Sequence, residues 1–152
     1  MAANENLVRV LIVDDHPMMR NGIKAYLATA RNVECVGEAA SGEEAVAACQ
    51  ALQPRVVLMD LAMPGMGGVA ATRAIRQACP ETRVIALTSF GDPALVQEAV
   101  RAGAISYLLK NVAGTVLVEA ILAAARGRRP WPTRRSTRSW RLRPIRLRSG
   151  AT

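Results

Sequence analysis

Val56-Val57-Leu58-Met59-Asp60-Leu61-Ala62-Met63-Pro64-Gly65 sets a carboxylate at the end of a short apolar run and directly ahead of a Pro/Gly loop. The run has no polar alternation and begins with β-branched residues, as a strand buried on both faces of a parallel sheet requires. A charge at the carboxyl edge of such a strand is expected to stand half out of the core and half exposed, where open α/β sheets bind their ligands. A second apolar run, Val8-Arg9-Val10-Leu11-Ile12-Val13, ends in Asp14-Asp15. If these two strands lie side by side in parallel, three carboxylates meet.

The rest of the chain bounds what such a site can belong to. Its 152 residues suffice for one domain with a real core and a tail, not for two full domains. Apolar residues make up 51% with few aromatics, which suits strands alternating with amphipathic helices better than an all-β sandwich. No apolar run reaches the ~18 residues that span a bilayer, and Met1-Ala2-Ala3-Asn4-Glu5-Asn6 lacks the basic and apolar regions of a signal peptide. A cytoplasmic protein with no membrane partner is the expectation. Cys35, Cys49 and Cys79 are widely spaced and set in apolar surroundings, so they read as small buried thiols, not disulfides or metal ligands. The net charge of +8 conceals two regimes: residues 1–125 hold ten Lys/Arg against twelve Asp/Glu, whereas residues 126–152 hold ten Arg and no acid.

From Val8 to about Arg126 short apolar runs alternate five times with segments of helical period, giving strands near 8–13, 33–38, 55–59, 83–88 and 105–109. Pro17 suits a first helical turn after His16, and Met19, Ile23, Leu27 and Ala30 mark one helix face. Ser41-Gly42-Glu43-Glu44 has capping-box spacing, Asp92-Pro93 reads as an N-cap and first helical residue, and Gly103 as a left-handed stop. Ala113 to Arg126 forms a last helix. Five such βα units with right-handed crossovers make a doubly wound α/β fold, a parallel sheet covered on both faces. The strand order 2-1-3-4-5 of flavodoxin-like (βα)5 members of this class is adopted by analogy; it brings Asp14, Asp15 and Asp60 together at the carboxyl edge beside the switch point between strands 1 and 3.

Two more strand ends complete the set, Leu87-Thr88-Ser89 with a hydroxyl and Leu108-Leu109-Lys110 with an ammonium. Clustered carboxylates repel one another unless a cation intervenes, and a hard, oxygen-seeking ion such as Mg²⁺ fits them. An aspartate beside Mg²⁺ can attack a phosphoryl group to give an acyl phosphate, with Lys110 and Thr88 sharing the phosphoryl oxygens. Each residue also has a plainer reading: Asp60 as a solvated carboxylate, Thr88 as a hydroxyl bonded to backbone, Lys110 as a surface lysine, Tyr107 as strand packing. Their joint register favours the constellation. His16, the only histidine, has no His or Cys partner and reads as positional, and Met59, Met63 and Met66 read as packing.

Asp14-Asp15-His16-Pro17, Met59-Asp60-Leu61-Ala62-Met63-Pro64, Leu87-Thr88-Ser89 and Ala102-Gly103-Ala104 through Tyr107-Leu108-Leu109-Lys110 together resemble the receiver domain of bacterial two-component response regulators. The resemblance covers about residues 7–126, in the style of the NarL/LuxR-type subfamily that usually carries a C-terminal helix-turn-helix. It implies that Asp60 is phosphorylated from the phosphohistidine of a sensor histidine kinase. It implies that Mg²⁺ is held by Asp15 directly, Asp14 mainly through water, Asp60 and the Ala62 carbonyl. Lys110 and Thr88 would bind the phosphoryl group, with Thr88 and Tyr107 as the switch pair. A signalling protein, not an enzyme, follows, with conformational control of transcription and pairing of two copies on phosphorylation. The chain departs from the pattern at Gly67, where a capping Asp or Asn is common, and at Asn111, where proline is common. Ala62 and Phe90 leave the phosphate surroundings rather apolar, which is expected to slow attacking water.

Past Arg126 the helical period is lost among prolines and arginines, so the domains are read as 1–126, the receiver, and 127–152, an arginine-rich tail without regular structure. The tail is too short and irregular for a helix-turn-helix, so sequence-specific DNA binding by this chain is not expected. Arginines with Trp131 and Trp140 suit phosphates and stacking, which makes a non-specific nucleic-acid binder one alternative. Arg without Lys, amid Trp, Pro, Ser and Thr, is also what a GC-rich gene yields out of frame, so truncation or frame disruption is the favoured reading of the tail. The other alternative, a Mg²⁺-dependent aspartyl-nucleophile phosphatase, requires a second Asp two residues after the first, where Ala62 stands.

Overall fold

The computed structural model describes residues 7–89 and 92–127. Strands β1 (Val8–Val13), β2 (Val33–Ala39), β3 (Val56–Asp60), β4 (Arg83–Thr88) and β5 (Ser106–Leu109) alternate with helices α1 (Pro17–Ala28), α2 (Gly42–Leu52), α3 (Gly67–Ala78), α4 (Pro93–Ala102) and α5 (Gly114–Ala125). All strands are parallel, in the order β2-β1-β3-β4-β5. The expected strand order and the five βα units are therefore present.

The period of two along each strand sorts the core into two layers. Leu11, Val13, Val57, Met59, Val84 and Ala86 face α2, α3 and α4 through Ala45, Cys49, Ala71, Ile75, Val96 and Ala99. Val10, Ile12, Val56, Leu58, Ile85 and Leu87 point the other way, onto Leu27 of α1 and Leu117, Ile121 and Ala124 of α5. Every residue of the central strand β3 is buried, which is why its sequence carries no alternation. Burial of each Val, Leu or Ile contributes about 1.5–3 kcal/mol, so the two layers dominate the stability of the sheet. The edge strand β2 is different. Only its terminal residues Val33 and Ala39 are buried, and Cys35 is half-buried, unlike the fully enclosed Cys49 and Cys79. Not all three thiols are core residues, because an edge strand has a neighbour on one side only.

Helix ends follow the sequence with local differences. Ser41 Oγ accepts from the Glu44 N–H at 3.1 Å, but the reciprocal arm lands one residue early, Glu44 Oε1 accepting from the Ala40 N–H at 2.8 Å. Asp92 occupies the N-cap of α4 without a side-chain capping bond, and Gly103 ends that helix in the left-handed region at φ +118°. Helix α3 starts without a side-chain cap after Met66, consistent with the missing acid at Gly67. The same turn makes a demand of its own. A Cβ on Gly68 would lie 2.3 Å from the Asp60 carbonyl oxygen and 2.7 Å from Leu61 Cα, so only glycine lets α3 press on the end of β3.

Gly68→Ala is therefore expected to lower stability by about 1–3 kcal/mol through overpacking against backbone. Urea unfolding should show this as an earlier midpoint with an unchanged slope.

Candidate functional site

The strand register builds the site. Val13 pairs with Met59, so the next residues, Asp14 and Asp60, stand abreast where β1 and β3 end. Thr88 pairs with Leu109, and the Lys110 N–H donates to the Thr88 carbonyl at 2.9 Å, which brings the ammonium-bearing residue to the same edge. Lys110 Nζ then lies 3.0 Å from Asp60 Oδ1 and 3.4 Å from Asp14 Oδ2. Four sites on four different chain segments thus converge because five parallel strands share one register.

Asp60 does not stand half-exposed, as a strand-end charge was expected to. It has no exposed surface, and neither has Asp14. The loop after β3 turns its apolar side chains inward, Leu61 and Met63 being buried, and Lys110 closes over the carboxylate with only 15% of its side chain exposed. Asp60 Oδ1 accepts from the Ala62 N–H at 3.0 Å and faces Lys110, whereas Asp60 Oδ2 is buried without a hydrogen-bond partner. One oxygen is oriented and the other is left available. Asp14 Oδ2 and Asp15 Oδ1 are likewise buried without a hydrogen-bond partner. Asp14 Oδ2 has Lys110 Nζ at 3.4 Å and Asp15 Oδ1 has His16 Nδ1 at 3.2 Å, whereas Asp60 Oδ2 has neither. Buried carboxylates so thinly satisfied are costly unless a cation meets them, and an octahedral oxygen-ligated ion such as Mg²⁺ fits that donor set.

The electrostatics follow from burial. Desolvation pushes the Asp60 carboxyl above the ordinary carboxylate range; the Lys110 hydrogen bond opposes this, the Asp14 charge adds to it, and the Ala62 N–H opposes it, with a net rise. For Lys110 burial acts against the ammonium, but the hydrogen bond and charge of Asp60, followed by Asp14, outweigh it and hold the lysine above its usual value. A further cation steadies the backbone here. Arg20 donates from Nη1 to the Asp14 carbonyl at 2.7 Å and from Nε to Glu38 Oε1 at 2.9 Å, tying α1 and β2 to the acidic turn. Lys24 also pairs with Glu38. Lys24 first and Arg20 second hold the Glu38 carboxyl below its ordinary value.

The other sequence-derived residues are placed with less engagement. Thr88 is 3% exposed, and its hydroxyl donates to the Ser89 carbonyl at 3.2 Å instead of to Asp60. Tyr107 sits opposite Ala86 on β5, half-buried against both apolar layers. Ala62 is exposed. Phe90 and the arginine-rich segment from 128 onward lie outside the described residues. Arg20 was not legible as a site residue, because an arginine on an amphipathic helix is indistinguishable in sequence from a solvated one. His16 reads as positional from sequence, yet the fold sets its Nδ1 3.0 Å from Asp14 Oδ1.

With that geometry in view, the comparisons with known proteins are specific. A model of the response regulator receiver domain matches residues 10–122. The chain belongs to the response regulator receiver family. The transcriptional regulatory protein LiaR of Bacillus subtilis (strain 168) is 43% identical over 121 residues, which is 80% of this chain and 57% of LiaR. The response regulator protein VraR of Staphylococcus aureus is 44% identical over 120 residues, 79% of this chain and 57% of VraR. The chain thus spans little more than half the length of these curated relatives. The solved receiver domain of the response regulator NarL from Mycobacterium tuberculosis is similar at a TM-score of 0.77 and 39% identity, covering 81% of this chain and 99% of that one. A LuxR-family regulator from Aurantimonas sp. SI85-9A1 is similar at 0.76 and 37%, covering 81% and 88%. This receiver is close to the NarL/LuxR type of two-component response regulator. Among the described residues no helix is long and apolar enough to cross a membrane.

Because burial and the neighbouring Asp14 make a charge on Asp60 costly, Asp60→Asn is expected to raise stability by roughly 1 kcal/mol, or about 4 °C, when no divalent cation is added. The sign of its pH dependence follows from the raised carboxyl. The folded state binds the proton more tightly, so wild-type stability falls as pH climbs from the ordinary carboxylate value through the raised one. The advantage of Asp60→Asn should therefore grow as pH climbs through the raised value and fade on acidification, which thermal melts at several pH values would show.

Proposed function

We propose that Asp60 is the phosphoacceptor of this receiver and that its phosphorylation switches the domain surface. The single observation that carries this reading is the split carboxylate of Asp60, with Oδ1 held by Ala62 N–H and Lys110 and Oδ2 buried without a partner. In the proposed reaction Oδ2 forms a bond to phosphorus as the P–N bond of a sensor kinase phosphohistidine breaks, and the imidazole leaves with the bonding pair. Because Oδ2 is shielded, the donor reaches it only after the exposed loop residues about Ala62 and Ser89 move aside. Lys110 neutralises charge on the transferred group, and Thr88 turns its hydroxyl from the Ser89 carbonyl to a phosphoryl oxygen. Tyr107 then repacks with Thr88.

Asp14, Asp15, Asp60 and the Ala62 carbonyl are the residues that would hold Mg²⁺, Asp15 directly and Asp14 mainly through water. Bound there, Mg²⁺ supplies charge neutralisation for the carboxylates and the phosphoryl oxygens. The remaining partners are also part of the proposal: a sensor histidine kinase as donor, a second phosphorylated copy in a homodimer, and control of transcription as output in a cytoplasmic setting. Inverting a switch that rests about 100 to 1 in the inactive form requires phosphorylation to favour the active form by about 5.5 kcal/mol.

The proposal assigns this role to residues 1–126, with residues 127–152 as an arginine-rich appendage that lacks a specific DNA-reading role. The phosphatase alternative is weakened by Ala62, whose methyl group supplies no general acid for the leaving group.

Incubation with acetyl phosphate and Mg²⁺ should add about 80 Da, the mass of one phosphoryl group, to the wild type and nothing to Asp60→Asn. An equal adduct on both proteins, read by intact mass, would defeat the assignment. Lys110→Ala should slow the time course by about a hundredfold, the loss typical of removing one group that stabilises developing charge. A chain ending at Gly127 should keep the adduct, since every residue of the proposed site lies within 1–126, and should keep its unfolding free energy within about 0.5 kcal/mol. If it also keeps its retention on DNA at low salt, the tail is not a nucleic-acid anchor.

A further inference from the structure

His16 is the member of the constellation that phosphotransfer leaves unused. It is the only histidine in the chain. Its backbone N–H donates to Asp14 Oδ1 at 2.8 Å, a turn that brings ring Nδ1 to 3.0 Å from Asp14 Oδ1 and 3.2 Å from Asp15 Oδ1. One ligand atom from each of Asp14, Asp15, His16 and Asp60 can be chosen so that all lie within 4.8 Å of one another. Asp14 and Asp60 have no exposed surface, and Asp60 Oδ2 is buried without a hydrogen-bond partner. The imidazole is the exposed element, with 64% of its side chain open to solvent.

An imidazole changes which cations such a group can hold. Mg²⁺ takes oxygen ligands and gains little from nitrogen, whereas Zn²⁺, Ni²⁺ and Cu²⁺ bind imidazole well and rank above the hard ions at mixed N/O sites. We propose that His16 makes this acidic site a mixed nitrogen–oxygen centre that takes a borderline transition cation, probed here as Zn²⁺, in competition with Mg²⁺. The His16 ring nitrogen that faces the carboxylates gives its lone pair to the cation, and any proton there passes to the other ring nitrogen or to water. Asp14, Asp15 and Asp60 supply the oxygen ligands. The inference rests on reading the acidic group as a cation site.

The test is calorimetric titration of the full chain with ZnCl₂ and, separately, MgCl₂. Every protein carries Cys35→Ser, so that the half-buried thiol does not contribute. His16→Ala should weaken Zn²⁺ binding by at least about tenfold, the lower end of what even an outer-shell loss costs a metal site, and leave Mg²⁺ within about twofold. His16→Gln, which keeps a polar side chain beside Asp14 but offers no imidazole, should reproduce the Zn²⁺ loss; retained Zn²⁺ affinity in either variant overturns the proposal. Asp60→Asn should lose affinity for both ions, and unchanged Zn²⁺ binding there would put the ion elsewhere and also overturn it. Failure of Mg²⁺ to bind the otherwise wild-type chain would instead overturn the underlying cation reading. His16 makes no side-chain capping bond to α1, and His16→Gln keeps a polar group beside Asp14, so a Zn²⁺ loss shared by both variants reports the imidazole and not a lost contact.

Discussion

Two aspartates without solvent contact, Asp14 and Asp60, share the ammonium of Lys110, and much of the carboxyl edge is arranged around that imbalance of charge. A buried carboxylate is tolerated only when paired or hydrogen-bonded, and here one lysine and one backbone N–H serve two carboxylates. What is left over is Asp60 Oδ2, with Asp14 Oδ2 met only by the 3.4 Å approach of Lys110. Under the proposed function that deficit is the resource of the site, since a divalent cation and a transferred phosphoryl group would offset it.

The surrounding structure maintains the deficit. Gly68 lets α3 press against the Asp60 backbone, Leu61 and Met63 close the loop over it, and Arg20 ties the Asp14 carbonyl to Glu38 on the edge strand. None of these contacts satisfies the free carboxylate oxygens. Each fixes backbone while leaving the reactive atoms unmatched, the arrangement expected where local instability is retained for function. Thr88 fits the same pattern, since its hydroxyl is parked on a neighbouring carbonyl and has a second position to take.

The site also differs from the other end of the sheet. A cavity of about 640 Å³ lies at the amino edge, lined by Arg9, Arg55 and Arg126 among others. Arg55 donates there to the Ala125 carbonyl at 2.9 Å and so anchors the end of α5 to the sheet. Acidic groups with a reactive purpose gather at one edge, and arginines bonded to backbone carbonyls secure the other. That division follows from topology, because in a parallel sheet all strand-to-helix loops share one edge and all helix-to-strand loops the opposite one.

The sequence by itself determined the elements and the identity of the chemistry. Largely apolar runs ending in Asp14-Asp15, Asp60, Thr88 and just before Lys110 identify buried parallel strands and the residues at their carboxyl ends, because burial on both faces leaves charged groups few other places to stand. Only the tertiary structure decided how those groups meet. The depth of Asp60, the split between its two oxygens, the approach of His16 to Asp14 and the role of Arg20 depend on register across β1, β3 and β5 and on how α1 and the loop after β3 close over the edge. No local pattern encodes these, since even the short-range approaches of His16 and Arg20 to Asp14 depend on how distant segments pack around the edge, and packing instead of propensity sets their geometry.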